Sequence, residues 1–296
     1  MEPWAYHILD VFTDRPLAGN QLAVFEEAPD IPETLLQPLA KEIGFAETVF
    51  LYPAKEGNEA RMRIFTPENE IPFAGHPTLG AATVVAHRLG KDRVVLETGR
   101  GPVPVRIERT IGRASQGAMD QPIPSFALYA HENALLRALG AQHSRLPVTV
   151  YDNGIPLVYV LLDHPDEVAA LQPDLAALTR LAQESGAPIV GFNVFAGADA
   201  EWKTRMFAPA DGIPEDPATG SAAGPLALHL ARHGLIPWST QIHITQGEEI
   251  GRPSSLFAKV VGNADHVERI EVSGMAVLVG GGWFDGDLLR AVSGAG

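Results

Sequence analysis

The chain of 296 residues contains no cysteine. Disulfide bonds, thiolate nucleophiles and zinc or iron–sulfur centres held by cysteine are therefore excluded. The sequence also lacks any apolar run that approaches the roughly 18 residues typical of a membrane-spanning helix. Its amino terminus has neither the basic segment nor the apolar segment of a signal peptide. These absences predict a cytoplasmic protein that has no membrane partner.

Basic residues are scarce, because 22 Lys and Arg stand against 36 Asp and Glu and the formal net charge is −14. Nucleic acids and anionic membranes bind clustered Lys and Arg, so neither is an expected partner. A small anionic substrate is compatible with this charge, since a few backbone N–H groups can hold one carboxylate. Hydrophobic residues make up 46% of the chain, which predicts a packed globular fold.

Motifs for metals and nucleotides are also missing. The ten histidines are scattered, and His229 and His233, four residues apart, have no glutamate between them as a zinc-binding helix would. No P-loop and no Gly-x-Gly-x-x-Gly run occurs, and the glycine clusters near the carboxyl end lack a strand-to-helix context. We therefore predict no metal site and no nucleotide cofactor.

Two stretches of the chain resemble each other at a separation close to half its length. Residues 63–67 (RIFTP) are echoed by 205–209 (RMFAP), and residues 76–82 (HPTLGAA) by 216–222 (DPATGSA). Each copy has the pattern of a strand, a Gly/Pro-rich loop and an alanine-rich helix. A duplicated half-molecule predicts two similar lobes with a cleft between them.

The predicted secondary structure places several strands around one long helix in each half. These helices, over 76–89 and 218–233, are apolar on nearly all sides, which predicts that they are buried. Strands and helices do not alternate regularly, so the expected class is α+β rather than parallel α/β. Residues 112–125 are rich in Gly, Ser, Gln and Pro and predict a connection between lobes. The lobes would then be 1–115, with 280–296 returning to it, and 125–279.

The loops before the two apolar helices are the strongest candidates for a binding site. N–H groups at a helix start attract anions, and Gly75 and Gly220 let a ligand approach the backbone. The alternative is that Asp216, Thr219 and Ser221 only cap their helix, as these residue types often do. Two matching Gly/Pro loops favour ligand binding over capping.

Three more residues are candidates for proton transfer or substrate contact. Glu47 begins a predicted strand among apolar neighbours, where desolvation would raise the pKa of its carboxyl toward neutrality, as a general base requires. His76 is suited to bind substrate or to relay a proton, and Asn20 follows a glycine in the first turn, where it can face the cleft. The plainer alternatives are a solvent-exposed glutamate, a hydrogen-bonded histidine and an ordinary turn asparagine.

Taken together, several of these segments resemble the PhzF family, the phenazine-biosynthesis-like proteins of the diaminopimelate epimerase fold. The resemblance covers most of the chain and rests on residues 10–13 (DVFT), 19–25 (GNQLAVF), 46–50 (AETVF), 65–67 (FTP), 73–80 (FAGHPTLG), 216–222 and 246–247 (QG). It implies two pseudo-symmetric lobes, each a β-barrel-like sheet around a central helix. It also implies a homodimer and a cofactor-free isomerase.

The resemblance further implies roles for the candidate residues. Related epimerases carry a cysteine at each central helix, and here Gly75 and Asp216 stand at those positions, so racemisation by two cysteines is excluded. Glu47 matches the acid–base residue of the family. His76, Asp216 and Ser221 match residues that contact substrate or handle protons, while Gly75 and Gly220 match backbone contacts.

The catalytic set implied by the resemblance is therefore Glu47, His76 and Asp216. Asn20, Gly75, Thr219, Gly220 and Ser221 are expected to bind the substrate. The reference reaction of the family is the isomerisation of trans-2,3-dihydro-3-hydroxyanthranilate, a proton shift on a small carboxylate-bearing ring. A non-catalytic metabolite-binding protein on the same scaffold is the alternative, because a fold alone does not determine function.

Overall fold

The computed structural model describes residues 3–112, 114–184 and 189–293. Two compact units are present: Met1–Met119 with Met275–Gly296, and Asp120–Gly274. The chain passes from one unit to the other inside strand β8 (Ala114–Gln121) and again inside strand β17 (Val267–Asp285). None of the helices in the described residues is long and apolar enough to cross a membrane.

The chain passes between the units inside the predicted connection over 112–125, but Ala114–Gln121 of that connection forms a mostly buried strand and not a loop. Its small residues reflect close packing rather than a turn. A Cβ atom at Gly117 would lie 2.5 Å from Leu79 Cδ1, so glycine at this position lets a helix lie directly against the strand.

The first unit is an eight-stranded barrel with a helix packed inside it. Its elements are β1 (Pro3–Val11), β2 (Asn20–Phe25), α1 (Glu33–Ile43), β3 (Glu47–Tyr52), β4 (Ala60–Phe65), β5 (Glu70–Ile71), α2 (Gly75–Leu89), β6 (Arg93–Thr98), β7 (Gly101–Ile111), β8, the end of β17 and α7 (Gly286–Ser293). Strands pair in the order β17–β1–β2–β3–β4–β6–β7–β8. Strand β8 also pairs with β17, which closes the row.

The second unit repeats this plan. Its elements are β9 (Ser125–Leu128), α3 (Glu132–Leu139), β10 (Thr149–Asp152), β11 (Pro156–Leu161), α4 (Pro165–Ala170), α5 (Leu175–Glu184), β12 (Gly191–Ala198), β13 (Glu201–Ala208), β14 (Ile213–Asp216), α6 (Gly220–Arg232), β15 (Gln241–Gln246), β16 (Ser254–Gly262) and the start of β17. The order is β9–β10–β11–β12–β13–β15–β16–β17.

Strand directions show that the two units are copies of one plan. In the first unit β2–β3 and β4–β6 are parallel, while β1–β17, β1–β2, β3–β4, β4–β5, β6–β7 and β7–β8 are antiparallel. In the second unit the parallel pairs are β11–β12 and β13–β15, at the same places in the row. The predicted α+β class with two similar halves is confirmed.

The two apolar helices are buried, as predicted. All residues from Gly75 to Ala86 of α2 and from Gly220 to Ala231 of α6 are buried. Helix α1 begins at Glu33, after Pro32, and continues through Pro38 to Ile43. The sequence pattern did not predict the short helices α3, α4 and α7. The sequence also predicts a helix over 175–185; α5 covers Leu175–Glu184, and Ser185 lies outside the described residues.

Candidate active site

Three of the predicted site residues meet in the first unit. Asn20 begins β2 and Glu47 begins the neighbouring parallel strand β3, while His76 lies in the first turn of α2. His76 Nε2 is 3.4 Å from Glu47 Oε2, and His76 Nδ1 is 3.2 Å from Asn20 Nδ2. All three residues are buried, with 1% of Asn20, 3% of His76 and 9% of Glu47 exposed. The alternatives of a solvent-exposed glutamate and an ordinary turn asparagine are therefore wrong.

The imidazole of His76 is neutral at physiological pH. Burial lowers its pKa to about 3, against a smaller opposing effect of the Gln21 backbone. When the Asn20 amide donates to Nδ1, the proton of the neutral ring lies on Nε2, the nitrogen that faces Glu47. The Glu47–His76 contact is therefore a meeting of a carboxyl group with a neutral ring, not a pair of opposite charges.

The turn between β1 and β2 positions Asn20 beside His76. Asp10 Oδ2 accepts the backbone N–H of Leu17 at 2.6 Å, which ties the turn to its own strand. Gly19 has φ of +65°, and a Cβ atom there would lie 2.4 Å from the carbonyl oxygen of Val11. Only glycine fits such a site, so the glycine before Asn20 sets the path by which the chain enters β2.

In the second unit, Asp216 ends β14 and Thr219 lies in the loop between β14 and α6. Thr219 Oγ1 donates to Asp216 Oδ2 at 2.5 Å. Thr219 is the N-cap residue of α6, yet its side chain makes no capping hydrogen bond. The capping alternative is therefore wrong for Thr219. Gly220 and Ser221 form the first turn of α6, where N–H groups have no partner within the helix.

A side chain without a predicted role holds this loop together. The amide nitrogen of Gln246 donates to the Asp216 carbonyl at 2.7 Å and to Thr219 Oγ1 at 2.9 Å. Its amide oxygen accepts from the Thr219 backbone N–H at 3.2 Å and from Thr204 Oγ1 at 3.1 Å. Gln246 is 2% exposed, so these hydrogen bonds of its amide are buried and hold the loop in one conformation. The Gln-Gly pair at the end of β15 was its one sequence signal.

The two units differ at the first residue of one strand, which is Glu47 in β3 and Gly191 in β12. Glu47 stands opposite Leu22 in the β2–β3 ladder, and Gly191 stands opposite Leu157 in the equivalent β11–β12 ladder. Gly191 thus occupies in the second unit the place that Glu47 has in the first. A carboxylate is present at this strand start in one half and not in the other.

The predicted residues therefore form two groups. Asn20, Glu47 and His76 are together in the first unit, with Gly75 as the first residue of α2. The second unit brings together Asp216, Thr219, Gly220 and Ser221. The convergence of the two groups on one substrate stays a prediction.

The pair His229 and His233 lies at the carboxyl end of α6. Within the described ranges, no group of three or more His, Asp or Glu side chains is arranged to hold a metal ion. His229 Nδ1 instead lies 3.1 Å from the hydroxyl of Tyr151 inside the second unit. Burial lowers the pKa of His229 to about 3, with smaller effects of His233 and Arg232 in the same direction.

The two buried histidines predict a stability that falls in acid. His76 and His229 each have a folded-state pKa of about 3, while unfolded histidine titrates near pH 6.5. Below that pH the two histidines bind protons in the unfolded chain but stay neutral in the folded chain. The free energy of unfolding therefore decreases as pH falls from about 6.5 toward 3. At pH 5 each histidine should lower the free energy of unfolding by up to about 2 kcal/mol.

Urea unfolding at pH 7.5 and at pH 5.0 measures this effect. We expect His229→Gln to lose about 2 kcal/mol less than the wild type between the two pH values. His266→Gln, at an exposed position, is the matched control and should behave like the wild type. If the wild type and His229→Gln lose the same free energy of unfolding between the two pH values, the low pKa of folded His229 is contradicted.

Comparison with known proteins agrees with the fold and the motifs. The sequence model of the family described as phenazine biosynthesis-like protein matches residues 9–282. A trans-2,3-dihydro-3-hydroxyanthranilate isomerase from Pseudomonas fluorescens is 45% identical over 277 residues, which cover 94% of this chain and 98% of that protein.

Two solved structures are also similar. A PhzF-family phenazine biosynthesis protein from Bacillus anthracis is 23% identical, with a TM-score of 0.83 over 96% of this chain and 100% of that chain. A predicted epimerase from Pseudomonas aeruginosa is 30% identical, with a TM-score of 0.79 over 95% of this chain and 98% of that chain. The chain therefore belongs to the phenazine biosynthesis-like, or PhzF, family, and it is an isomerase of that family.

Proposed function

We propose that the protein is a cofactor-independent isomerase that moves a proton between two carbons of a small carboxylate-bearing ring. The first candidate substrate is trans-2,3-dihydro-3-hydroxyanthranilate, because a relative with 45% identity is named for its isomerisation. The observation that carries the proposal is the buried contact between Glu47 and the neutral ring of His76. Such a contact is suited to proton transfer in a site that excludes water.

Glu47 is the proposed acid–base residue. Its carboxylate takes a proton from one ring carbon and returns it to another carbon on the same face. The burial of Glu47 supports this role, because a proton held in a dry site is not lost to solvent. The glycine at the equivalent position, Gly191, supports a mechanism in which one carboxylate performs both steps.

His76 and Asn20 are proposed to keep the carboxylate of Glu47 in position. A ring whose Nδ1 accepts from Asn20 can donate from Nε2 toward Glu47 Oε2. Because the pKa of His76 is about 3, the ring faces Glu47 without carrying a charge. A neutral ring forms no ion pair with Glu47, so it positions the carboxylate without neutralising it.

We further propose that the two helix starts hold the substrate carboxylate. The first-turn N–H groups of α2 at Gly75 and of α6 at Gly220 and Ser221 are suited to an anion. Asp216, which accepts a hydrogen bond from Thr219, would handle a proton on the substrate. The matching loops in the two halves of the sequence support this assignment.

Incubation of the protein with trans-2,3-dihydro-3-hydroxyanthranilate in deuterated water tests the proposed reaction. We expect the isomerised ring to appear in the proton NMR spectrum, with or without deuterium depending on how completely Glu47 retains the proton. Neither conversion nor deuterium exchange, with this compound and with related cyclic amino acids, would contradict the proposed function.

We also propose that the protein acts in the cytoplasm as a homodimer. The PhzF resemblance supports the dimer, and the exposed strand β9 offers a sheet edge that a partner could cover. Light scattering at micromolar concentration should give twice the 31.7 kDa mass of one chain. A mass equal to that of one chain would refute the dimer.

A further inference from the structure

A proline in α6 leaves one helix carbonyl without its usual donor. Pro225 lies inside α6 and has no backbone N–H. In an α-helix, the N–H of residue 225 would bond to the carbonyl of Ser221. That carbonyl instead accepts a buried hydrogen bond of 2.9 Å from Asn153 Nδ2. The side chain of Asn153 thus supplies the donor that Pro225 removes.

Two more side chains bind the carbonyls on either side of Ser221. Gln121 Nε2 donates to the Gly220 carbonyl at 2.8 Å, and the Tyr159 hydroxyl donates to the Ala222 carbonyl at 3.0 Å. Gln121 comes from β8 and Tyr159 from β11, while Asn153 lies in the turn between β10 and β11. Three buried donors on three consecutive carbonyls fix the orientation of the first turn of α6.

The first unit uses an asparagine at a comparable place. Asn20 follows the turn that joins β1 to β2, and its amide contacts His76 at the start of α2. Asn153 lies in the turn that joins β10 to β11, the equivalent pair of strands, and its amide contacts Ser221 at the start of α6. Each half therefore ties the start of its buried helix to its first hairpin with an asparagine amide.

We propose that Asn153 is a positioning residue for substrate binding. By replacing the N–H that Pro225 lacks, it fixes the Ser221–Ala222 peptide unit, and through that unit it holds in place the turn that carries the N–H groups of Gly220 and Ser221. This inference rests on the proposed function, in which those groups hold the substrate carboxylate. Asn153 acts on the substrate only through the helix start, so its loss should weaken binding more than it slows the chemical step.

A compensating pair of substitutions tests the proposal. Asn153→Leu removes the donor, and we expect KM for the carboxylate substrate to rise about tenfold while kcat changes less than about threefold. Pro225→Ala restores an N–H at the helix position that faces the Ser221 carbonyl. In the double variant KM should return to within about twofold of the wild type. Asn133→Leu, at a position on α3 outside the second unit's core, is the control and should leave KM unchanged.

A KM that rises equally in Asn153→Leu and in the double variant would overturn the compensation. A lowered kcat with an unchanged KM would also overturn the proposal, because a purely structural role reduces the active fraction without changing substrate affinity. If Asn153→Leu does not fold, Asn153→Ser, which is too short to reach the carbonyl, replaces it in the same series.

Thermal unfolding of the wild type, the two single variants and the double variant gives a readout that does not depend on the reaction. The Asn153 substitution should lower Tm more in the wild-type background than in the Pro225→Ala background, because only the proline leaves the carbonyl unpartnered. Additive Tm changes would overturn the proposal even in an active enzyme. Coupled Tm changes in a protein without isomerase activity would support the Asn153–Pro225 pairing and contradict the proposed function instead.

Discussion

Glu47→Gln is expected to lower kcat by about a thousandfold while the protein stays folded. The amide has nearly the shape of the carboxylate, so it should fit the buried site beside His76. It cannot accept a proton from a ring carbon, however, and no carboxylate stands at the equivalent Gly191 to replace it. Turnover of trans-2,3-dihydro-3-hydroxyanthranilate and the thermal unfolding of the purified variant measure the two halves of this expectation.

The matched control is Glu42→Gln, the same change at an exposed position on α1. It should leave both kcat and Tm unchanged. A Glu47→Gln variant that turns over as fast as the wild type would show that another group moves the proton. A variant that loses its fold would instead point to a structural role of the carboxylate.

The second large effect is expected at Arg205, which joins two parts of the second unit. Its side chain is 8% exposed, and its guanidinium forms two parallel hydrogen bonds to Glu215, of 2.9 and 2.7 Å. Its Nη1 also donates to the carbonyls of Val168, Ala169 and Leu171. Arg205→Met should cost about 3–5 kcal/mol of the free energy of unfolding, because it removes the guanidinium donor from Glu215 and from three carbonyls.

The repeat provides the matched control for this prediction. Arg63 is the equivalent residue of the first unit and binds Glu70 and Glu33 with its guanidinium. Its partners are more exposed, with 43% of the Glu70 side chain and 70% of the Glu33 side chain accessible to water. Arg63→Met should therefore cost about 1 kcal/mol or less. Urea denaturation of both variants measures the difference, and equal losses would contradict the account.

Much of the architecture could be predicted from the sequence, because a fully buried helix is apolar on nearly all sides and such a segment is easy to recognise. The helices α2 and α6 are apolar on nearly all sides, and the echo of RIFTP by RMFAP marks the same strand in each half. The grouping of Glu47 with His76 came from a family resemblance, not from their spacing, since 29 residues and two strands separate them.

The features that the sequence did not predict, the strand within 112–125 and the roles of Gln246 and Asn153, have a common physical cause. The glycine and serine of 112–125 predict a loop, although Gly117 is small because Leu79 packs against it. Gln246 and Asn153 gained their roles from strand pairing, which brings each amide to a backbone carbonyl far away in sequence. A composition pattern cannot distinguish a small residue in a turn from one under a helix, nor a surface amide from a buried one.

The most direct test of the central claim is a crystal structure of the protein with 3-hydroxyanthranilate, the planar aromatic form of the candidate substrate. The account predicts that the ligand carboxylate binds the N–H groups at the start of α2 or α6. It also predicts a ring carbon within about 3.5 Å of the Glu47 carboxylate, the distance that proton transfer requires. A ligand held at Gly220 and Ser221 while Glu47 lies on another face, away from the ring, would contradict it.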